Sequence, residues 1–249
     1  MSKTKKYGLL GHPLGHSFSR QFHNQRFAEL GIDAVYENYD LENVGMLPDL
    51  LENEPDLEGL NVTIPYKQSV MQFLDELDPL AERIGAVNVI RIKGNRLKGF
   101  NSDIVGFRDS IRPMLDAAGI DGGKALILGT GGASKAICVA LQDMGLEPVY
   151  VSRTAAPGRL TYADLTPDVM ASHRVIVNCT PLGMFPKVDA CPDIPYDLLT
   201  SGHVCFDAVY NPAETLFMKK AASNGAAVKC GYEMLVGQAI ESYRIWTEN

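Results

Sequence analysis

An apolar run long enough for a secretory leader or a membrane-spanning helix is missing from the start of this 249-residue chain. Lys3, Lys5 and Lys6 precede an apolar stretch, but Gly8, Gly11, His12 and Pro13 interrupt it too early for either. The protein is therefore expected to stay in the cytoplasm. Positive charge is also in deficit: 23 Lys and Arg stand against 30 Asp and Glu, a net charge of −7. That balance argues against a nucleic-acid or anionic-membrane partner. The five cysteines, Cys138, Cys179, Cys191, Cys205 and Cys230, are odd in number and form no Cys-x-x-Cys or His-paired pattern. They read as reduced thiols of a cytosolic protein. Acidic and histidine side chains do not cluster at ligand spacing, so no metal site is expected. What remains is an ordinary globular composition, 46% apolar and 21% charged, with length for one large or two modest domains.

Strands and helices alternate along the sequence. Tyr7 to Leu10 reads as a first strand, and Ser17 is placed to cap a helix whose Phe18, Phe22, Phe27 and Leu30 precede Gly31. Strands follow near Val35 to Tyr39 and Leu60 to Ile64, then a helix over Val70 to Leu77 and a strand from Val87 to Ile92 with a turn at Gly94-Asn95. After Asp103 the pattern restarts. A helix reaches about Ala118, strand Ala125 to Leu128 leads into helix Ala133 to Met144, and strands follow at Pro148 to Ser152, Val175 to Cys179 and Val204 to Ala208. This outlines a doubly wound parallel sheet. The last helix, Met234 to about Trp246, has no strand after it and is expected to pack back on the first domain. The domains are placed at 1–103 with 234–249, and at 104–233.

Strand Ala125 to Leu128 runs directly into Gly129-Thr130-Gly131-Gly132-Ala133-Ser134 and a helix. Glycines there let backbone N–H groups and a helix N-terminus approach a pyrophosphate, although Ser134 stands where the usual fingerprint has its third glycine. An NAD site presents an acid about 20 residues beyond that turn, and an NADP site presents arginine to the 2′-phosphate. The next strand ends in Ser152-Arg153-Thr154, one guanidinium and two hydroxyls with no carboxylate. The expected cofactor is NADP.

A second constellation starts at Asn61-Val62-Thr63-Ile64-Pro65-Tyr66-Lys67. In an extended segment Asn61 and Thr63 would leave one side and Val62 and Ile64 the other. Pro65 stops the ladder, and Lys67 is expected in the first turn of the next helix, where the dipole disfavours a cation and hints at a chemical task. Asn88, in Ile84-Gly85-Ala86-Val87-Asn88, and Asp103, in Gly99-Phe100-Asn101-Ser102-Asp103-Ile104-Val105-Gly106, read singly as a turn residue and a helix cap.

Together with Gly8 to Ser19 at the front and Gly231 to Ala239 at the end, these motifs occur in an order that resembles the shikimate dehydrogenase family from about Gly8 to Gln238. The resemblance implies two open α/β domains, an N-terminal substrate domain and a Rossmann-type doubly wound NADP domain, with an interdomain cleft. It implies reversible reduction of 3-dehydroshikimate to shikimate by NADPH, in the pathway to aromatic amino acids, by a monomer or homodimer. Lys67 matches the family's proton donor and Asp103 its partner. Ser17 and Ser19 match the hydroxyls that bind the substrate carboxylate. Asn61, Thr63, Asn88 and Gln238 match groups that bind ring hydroxyls, with Tyr210 beside them. Gly231 matches a position lining the nicotinamide pocket, and Thr180 and Ala208 are expected to bind the cofactor as well.

Three departures stand out. Arg20 replaces a usual proline, Glu233 replaces a usual glycine, and the 26 positions from Ser152 to Asn178 are fewer than the family's, so a strand or helix there is expected to be trimmed. Arg159 is a second candidate cation for the 2′-phosphate. The alternatives are an NAD-dependent quinate/shikimate dehydrogenase, which calls for an acid near Arg153, and an inactive nucleotide-binding regulator, which should lack Lys67 or Asp103.

Overall fold

The computed structural model describes residues 4–15, 17–94 and 96–248. The chain divides into two compact units, one formed by the segment up to Ser102 with the segment from Ala239, the other by Asp103 to Gln238.

The first unit contains β1 (Lys5–Gly11), α1 (Phe18–Leu30), β2 (Ala34–Asp40), α2 (Leu47–Asn53), β3 (Leu57–Val62), β4 (Glu76–Leu77), α3 (Pro79–Ile84), β5 (Val89–Lys93) and β6 (Arg96–Phe100). Its sheet order is β2-β1-β3-β5-β6-β4. Strands β1, β2 and β3 are parallel, whereas β5 runs antiparallel to β3 and forms a hairpin with β6. Gly94 turns that hairpin at φ +59°; its expected partner Asn95 lies outside the described residues. Period-two alternation sorts the two faces. Tyr7, Leu9 and Val89 pack with Phe27, Tyr36 and Trp246, while Leu10, Leu60, Val62 and Ile90 pack with Val44, Leu47 and Val70. Ser17 caps α1 by accepting the Arg20 N–H, and Gly31 closes it in the left-handed conformation at φ +64°.

Two readings of the sequence fail here. The helix expected over Val70 to Leu77 is a 3-10 turn, Ser69–Phe73, followed by β4, because the Asp75 N–H and carboxylate bond the backbone of Leu97 and draw the chain onto β6. Lys67 therefore sits in a turn ahead of a 3-10 segment, and the helix-dipole argument does not apply to it. Strand β3 also ends at Val62. Ile64 is 71% exposed while Val62 is buried, since Tyr66 N–H bonds the Thr63 carbonyl and the chain turns at a cis Ile64–Pro65 peptide.

The second unit contains α4 (Asp103–Ala117), β7 (Gly123–Leu128), α5 (Gly132–Asp143), β8 (Leu146–Ser152), β9 (Arg159–Thr161), α6 (Pro167–Ser172), β10 (Val175–Asn178), β11 (Val204–Asp207), α7 (Leu216–Ser223) and β12 (Ala227–Cys230). Its six parallel strands are ordered β12-β11-β10-β7-β8-β9, the doubly wound arrangement with its switch point between β7 and β10. The strands are buried on both faces, Leu126, Leu128, Ile176 and Cys205 packing with Met170, Phe217 and Ala221. The short stretch from Ser152 keeps a three-residue strand and a six-residue helix; no helix joins β8 to β9. Six residues, 153–158, make that parallel crossover because β9 pairs only with Tyr150, Val151 and Ser152, so the chain returns by little more than two residues' length.

Helix α8 (Tyr232–Thr247) contributes to both units. Its C-terminal half lies on the first sheet, where Trp246 donates to the Ile90 carbonyl at 3.0 Å and stacks on Tyr7. A Cβ on Gly59 would come within 2.3 Å of the Trp246 ring, so glycine is required for that approach. Among the described residues no helix is long and apolar enough to cross a membrane.

Candidate active site

In the first unit the expected substrate residues gather at the C-terminal ends of β1 and β3. The loop after β1 ends at Ser17, the cap of α1, and Ser19 lies in the first turn of that helix. The loop is fastened by Asp40, which accepts from the Leu14 N–H at 2.9 Å and contacts His12 Nδ1 at 2.7 Å, interactions that lower the carboxylate's pKa. Gly11 is in close contact with the next turn: a Cβ there would lie 2.5 Å from Thr63. The Thr63 N–H bonds the Leu10 carbonyl, and the Lys67 carbonyl accepts from Val87 N–H at 2.7 Å, which ties the half-buried lysine's backbone beside Asn88.

Asn61 and Asn88 are buried in a polar network. Tyr36 donates its phenol hydrogen to Asn61 Oδ1 at 2.8 Å. Asn61 Nδ2 donates to the Asn88 carbonyl at 3.2 Å and to Ser242 Oγ at 2.8 Å. Asn88 Oδ1 accepts from Ser102 N–H at 2.7 Å, and its amide donates to Ser102 Oγ at 3.0 Å. The Ser102 and Ser242 hydroxyls are 3.1 Å apart. Sequence reading missed Tyr36 and Ser242 entirely, and it quoted Ser102 without giving it a part. A buried hydroxyl in the middle of a motif, on a strand or on the last helix carries no local sign of its partners.

In the second unit Asp103 is the first residue inside α4 rather than the cap ahead of it. Gly106, one turn on, lets α4 and α8 touch: a Cβ would meet the Met234 carbonyl at 2.4 Å and Gln238 N at 2.8 Å. Gln238 is buried there and donates Nε2 to the Leu235 carbonyl.

The glycine-rich turn follows β7 as expected. Gly129 has φ +97°, and a Cβ on it would lie 2.9 Å from Thr180 across the switch point. Gly131 faces open space, with nothing within 4 Å of a Cβ built on it, at the N-terminus of α5. Backbone amides reachable from that side suit a pyrophosphate. Thr130 completes the turn, and Gly132 and Ala133 open α5. Ser134 is buried and turns its hydroxyl back to the Gly131 carbonyl at 2.6 Å, which braces the loop. At the end of β8 the Ser152 hydroxyl bonds the Thr154 carbonyl, while Arg153 and Arg159 are exposed.

Beyond the switch point, Thr180 donates both N–H and hydroxyl to Asn178 Oδ1, at 3.0 and 2.7 Å. Asn178 in turn donates to Asp207 Oδ1 at 2.9 Å, which also accepts from Val209 N–H; Asp207 Oδ2 accepts the Thr215 hydroxyl at 2.5 Å. Burial pushes the Asp207 pKa up to about 6, against the pull of those three hydrogen bonds. Gly231 follows β12, where a Cβ would press to 2.4 Å on the Ala208 carbonyl. Tyr210 is 39% exposed beside it. Glu233 is paired with Lys229 at 2.5 Å, and Lys229 also donates to the Ser110 carbonyl, so a cation offsets this unusual carboxylate.

Comparison with known proteins agrees over the whole length. Residues 9–90 match the shikimate dehydrogenase substrate binding domain. A shikimate dehydrogenase (NADP(+)) of Caldanaerobacter subterraneus is 36% identical, the alignment covering 99% of this chain and 92% of the relative. One of Clostridium beijerinckii is 37% identical, covering 97% and 92%. Among solved structures, shikimate 5-dehydrogenase from Thermus thermophilus, in complex with NADP(H) and shikimate, is 33% identical with a TM-score of 0.84, covering 98% of this chain and 93% of that one. A sheet in the 3-2-1-4-5-6 order, a glycine turn at its switch point and near-complete alignment with these relatives lead to one assignment: the chain belongs to the shikimate dehydrogenase family.

Proposed function

We propose that Lys67 and Asp103 run the reversible, NADPH-dependent reduction of 3-dehydroshikimate to shikimate in this chain, on substrate held by Ser17, Ser19, Asn61, Thr63, Asn88, Tyr210 and Gln238. The chain is an NADP-dependent oxidoreductase of the shikimate dehydrogenase family, acting on a CH–OH group. What supports the residue assignment is that one unit holds two hydroxyls at the start of α1, two buried amides, Thr63 and a lysine near the ends of adjoining strands. A ring bearing several hydroxyls and a carboxylate matches that donor and acceptor set.

When bound, NADPH supplies a hydride to the ketone carbon. Negative charge then develops on the ketone oxygen, and the Lys67 ammonium would stabilise it and hand over a proton, taking it back in the reverse direction. Asp103 would accept from a neighbouring ring hydroxyl and orient the lysine. Ser17 uses its oxygen lone pair on the Arg20 N–H, so its hydrogen can be donated to a substrate carboxylate. The turn Gly129 to Ala133 would take the pyrophosphate on its amides, with Thr180, Ala208 and Gly231 lining the nicotinamide side. Arg153, with Ser152 and Thr154, would take the 2′-phosphate, and Arg159 follows on the neighbouring strand. Absence of a carboxylate among residues 152–154 disfavours the NAD-dependent quinate reading, and presence of both Lys67 and Asp103 disfavours an inactive regulator. Five free cysteines accord with a cytoplasmic setting.

The test is NADPH oxidation with 3-dehydroshikimate. Lys67→Ala should lower kcat by roughly 10²- to 10⁴-fold with little change in KM. A loss below about tenfold would remove the acid-base role.

A further inference from the structure

The donors and acceptors around Asn61 can be assigned one by one, and they leave a consequence for what that residue offers a ligand. A backbone carbonyl can only accept, so the 3.2 Å contact with the Asn88 carbonyl identifies Asn61 Nδ2 and fixes which way the amide points. Its second amide hydrogen goes to Ser242 Oγ, and Tyr36 O–H supplies Oδ1. In the same way Ser102 N–H, which can only donate, identifies Asn88 Oδ1. Ser242 accepts from Asn61 and lies 3.1 Å from Ser102 Oγ, where either hydroxyl can donate, and Ser102 Oγ also accepts from Asn88 Nδ2. Tyr36, Ser102 and Ser242 are fully buried, and all members belong to the first unit.

We propose that Tyr36, Ser102 and Ser242 are positioning residues that fix the hydrogen-bond polarity of the substrate-binding amides, with Ser242 holding Asn61 so that it presents only an acceptor to a substrate hydroxyl. Both Asn61 amide hydrogens are spent on Ser242 and Asn88, and the remaining lone pair of Oδ1 is what a ligand can use. Such a site selects a hydroxyl that donates at that position and disfavours a ring oxygen that can only accept. This rests on the reading above that Asn61 contacts the substrate ring.

Ser242→Ala releases one Asn61 amide hydrogen and lets the amide turn. KM for shikimate should rise about 5- to 30-fold, as for loss of one well-placed hydrogen bond, with kcat and KM for NADP⁺ within about twofold. Tyr36→Phe, which keeps the ring and removes the donor, should act in the same direction and guards against a folding defect. In an Asn61→Ala background, Ser242→Ala should add less than about twofold, because its effect passes through Asn61. Equal effects of Ser242→Ala in both backgrounds, or an unchanged KM, would overturn the proposal. An independent readout uses the free protein: the Asn61 side-chain amide ¹⁵N–¹H pair should be protected from exchange in the parent and lose protection in Ser242→Ala. If the parent fails to turn over shikimate, the functional reading falls and this amide signal still decides the polarity; unchanged protection refutes it.

Discussion

Asp207 offers a test of the nucleotide-side network that needs no cofactor. Its pKa is about 6 in the folded protein, against 3.8 for an ordinary aspartate, because burial disfavours the carboxylate more than Asn178, Val209 and Thr215 favour it. Between those two values the folded protein holds more protons than the unfolded chain, so this group's contribution to stability falls as pH rises through the window and stays lost above it. A difference of about 2 pK units corresponds to about 3 kcal/mol in total. Asp207→Asn cannot ionise. Its oxygen can still accept from Asn178 and Val209, and its amide can donate to Thr215, whose hydroxyl hydrogen then loses its acceptor at a cost of about 1 kcal/mol. Urea unfolding of parent and variant from pH 4.5 to 7.5 should therefore show the variant gaining about 2 kcal/mol relative to the parent, the part of the window those limits span. Groups that titrate alike in both proteins cancel in the difference. A difference flat to within about 0.5 kcal/mol would show that Asp207 does not titrate there, and the account of a buried carboxylate at the switch point would fail.

The opposite sign is expected at His23. It is stacked on Tyr36 with neither ring nitrogen hydrogen-bonded among the described residues, and burial, aided by Arg26, lowers its pKa to about 3 from 6.5. A neutral buried histidine contributes stability that is present above pH 6.5 and is lost as pH falls, so His23→Phe should lose about 2 kcal/mol less than the parent between pH 7.5 and 5 in urea titrations. Equal losses in the two proteins would contradict it. Arg153→Ala should weaken NADPH binding by roughly 1.5 to 3 kcal/mol, the range of a charged hydrogen bond, and spare NADH; an unchanged NADPH-to-NADH preference would remove that arginine from the cofactor site.

Elements with strong local signals were legible from the sequence. Ser17 and Gly31 mark the ends of α1, and the apolar runs of β7, β10 and β11 bounded by glycine or polar turns give the second sheet. The glycine turn and the arginine after β8 are short-range patterns and were equally readable. Val70 to Leu77 reads as a helix because its apolar spacing suits one, while the decisive force is the pairing of Asp75 with Leu97, 22 residues away. Asn61 was recognised as a polar residue ending a strand, but its partners Tyr36 and Ser242 lie 25 and 181 residues off. No periodicity reports a contact of that separation. Ser134 stands at the third-glycine position of the motif, and the contact of its hydroxyl with the loop itself is equally invisible in that pattern.

Each unit solves the same physical problem at its strand ends. Loops that bind a ligand are the least constrained parts of an α/β sheet, yet their donors and acceptors must keep fixed directions. In the first unit, the Tyr36 phenol and the Ser102 and Ser242 hydroxyls bond the amides of Asn61 and Asn88 and thereby set them. In the second, a buried carboxylate sets Asn178, and Asn178 sets Thr180 against Gly129. Burial makes both arrangements directional, because an unmet donor or acceptor there costs about 1 to 3 kcal/mol while water would satisfy it at no such penalty on the surface. The residues proposed to touch the ligand can then be few and small, and what orients them lies one contact further in, where the sequence carries no short-range sign of it.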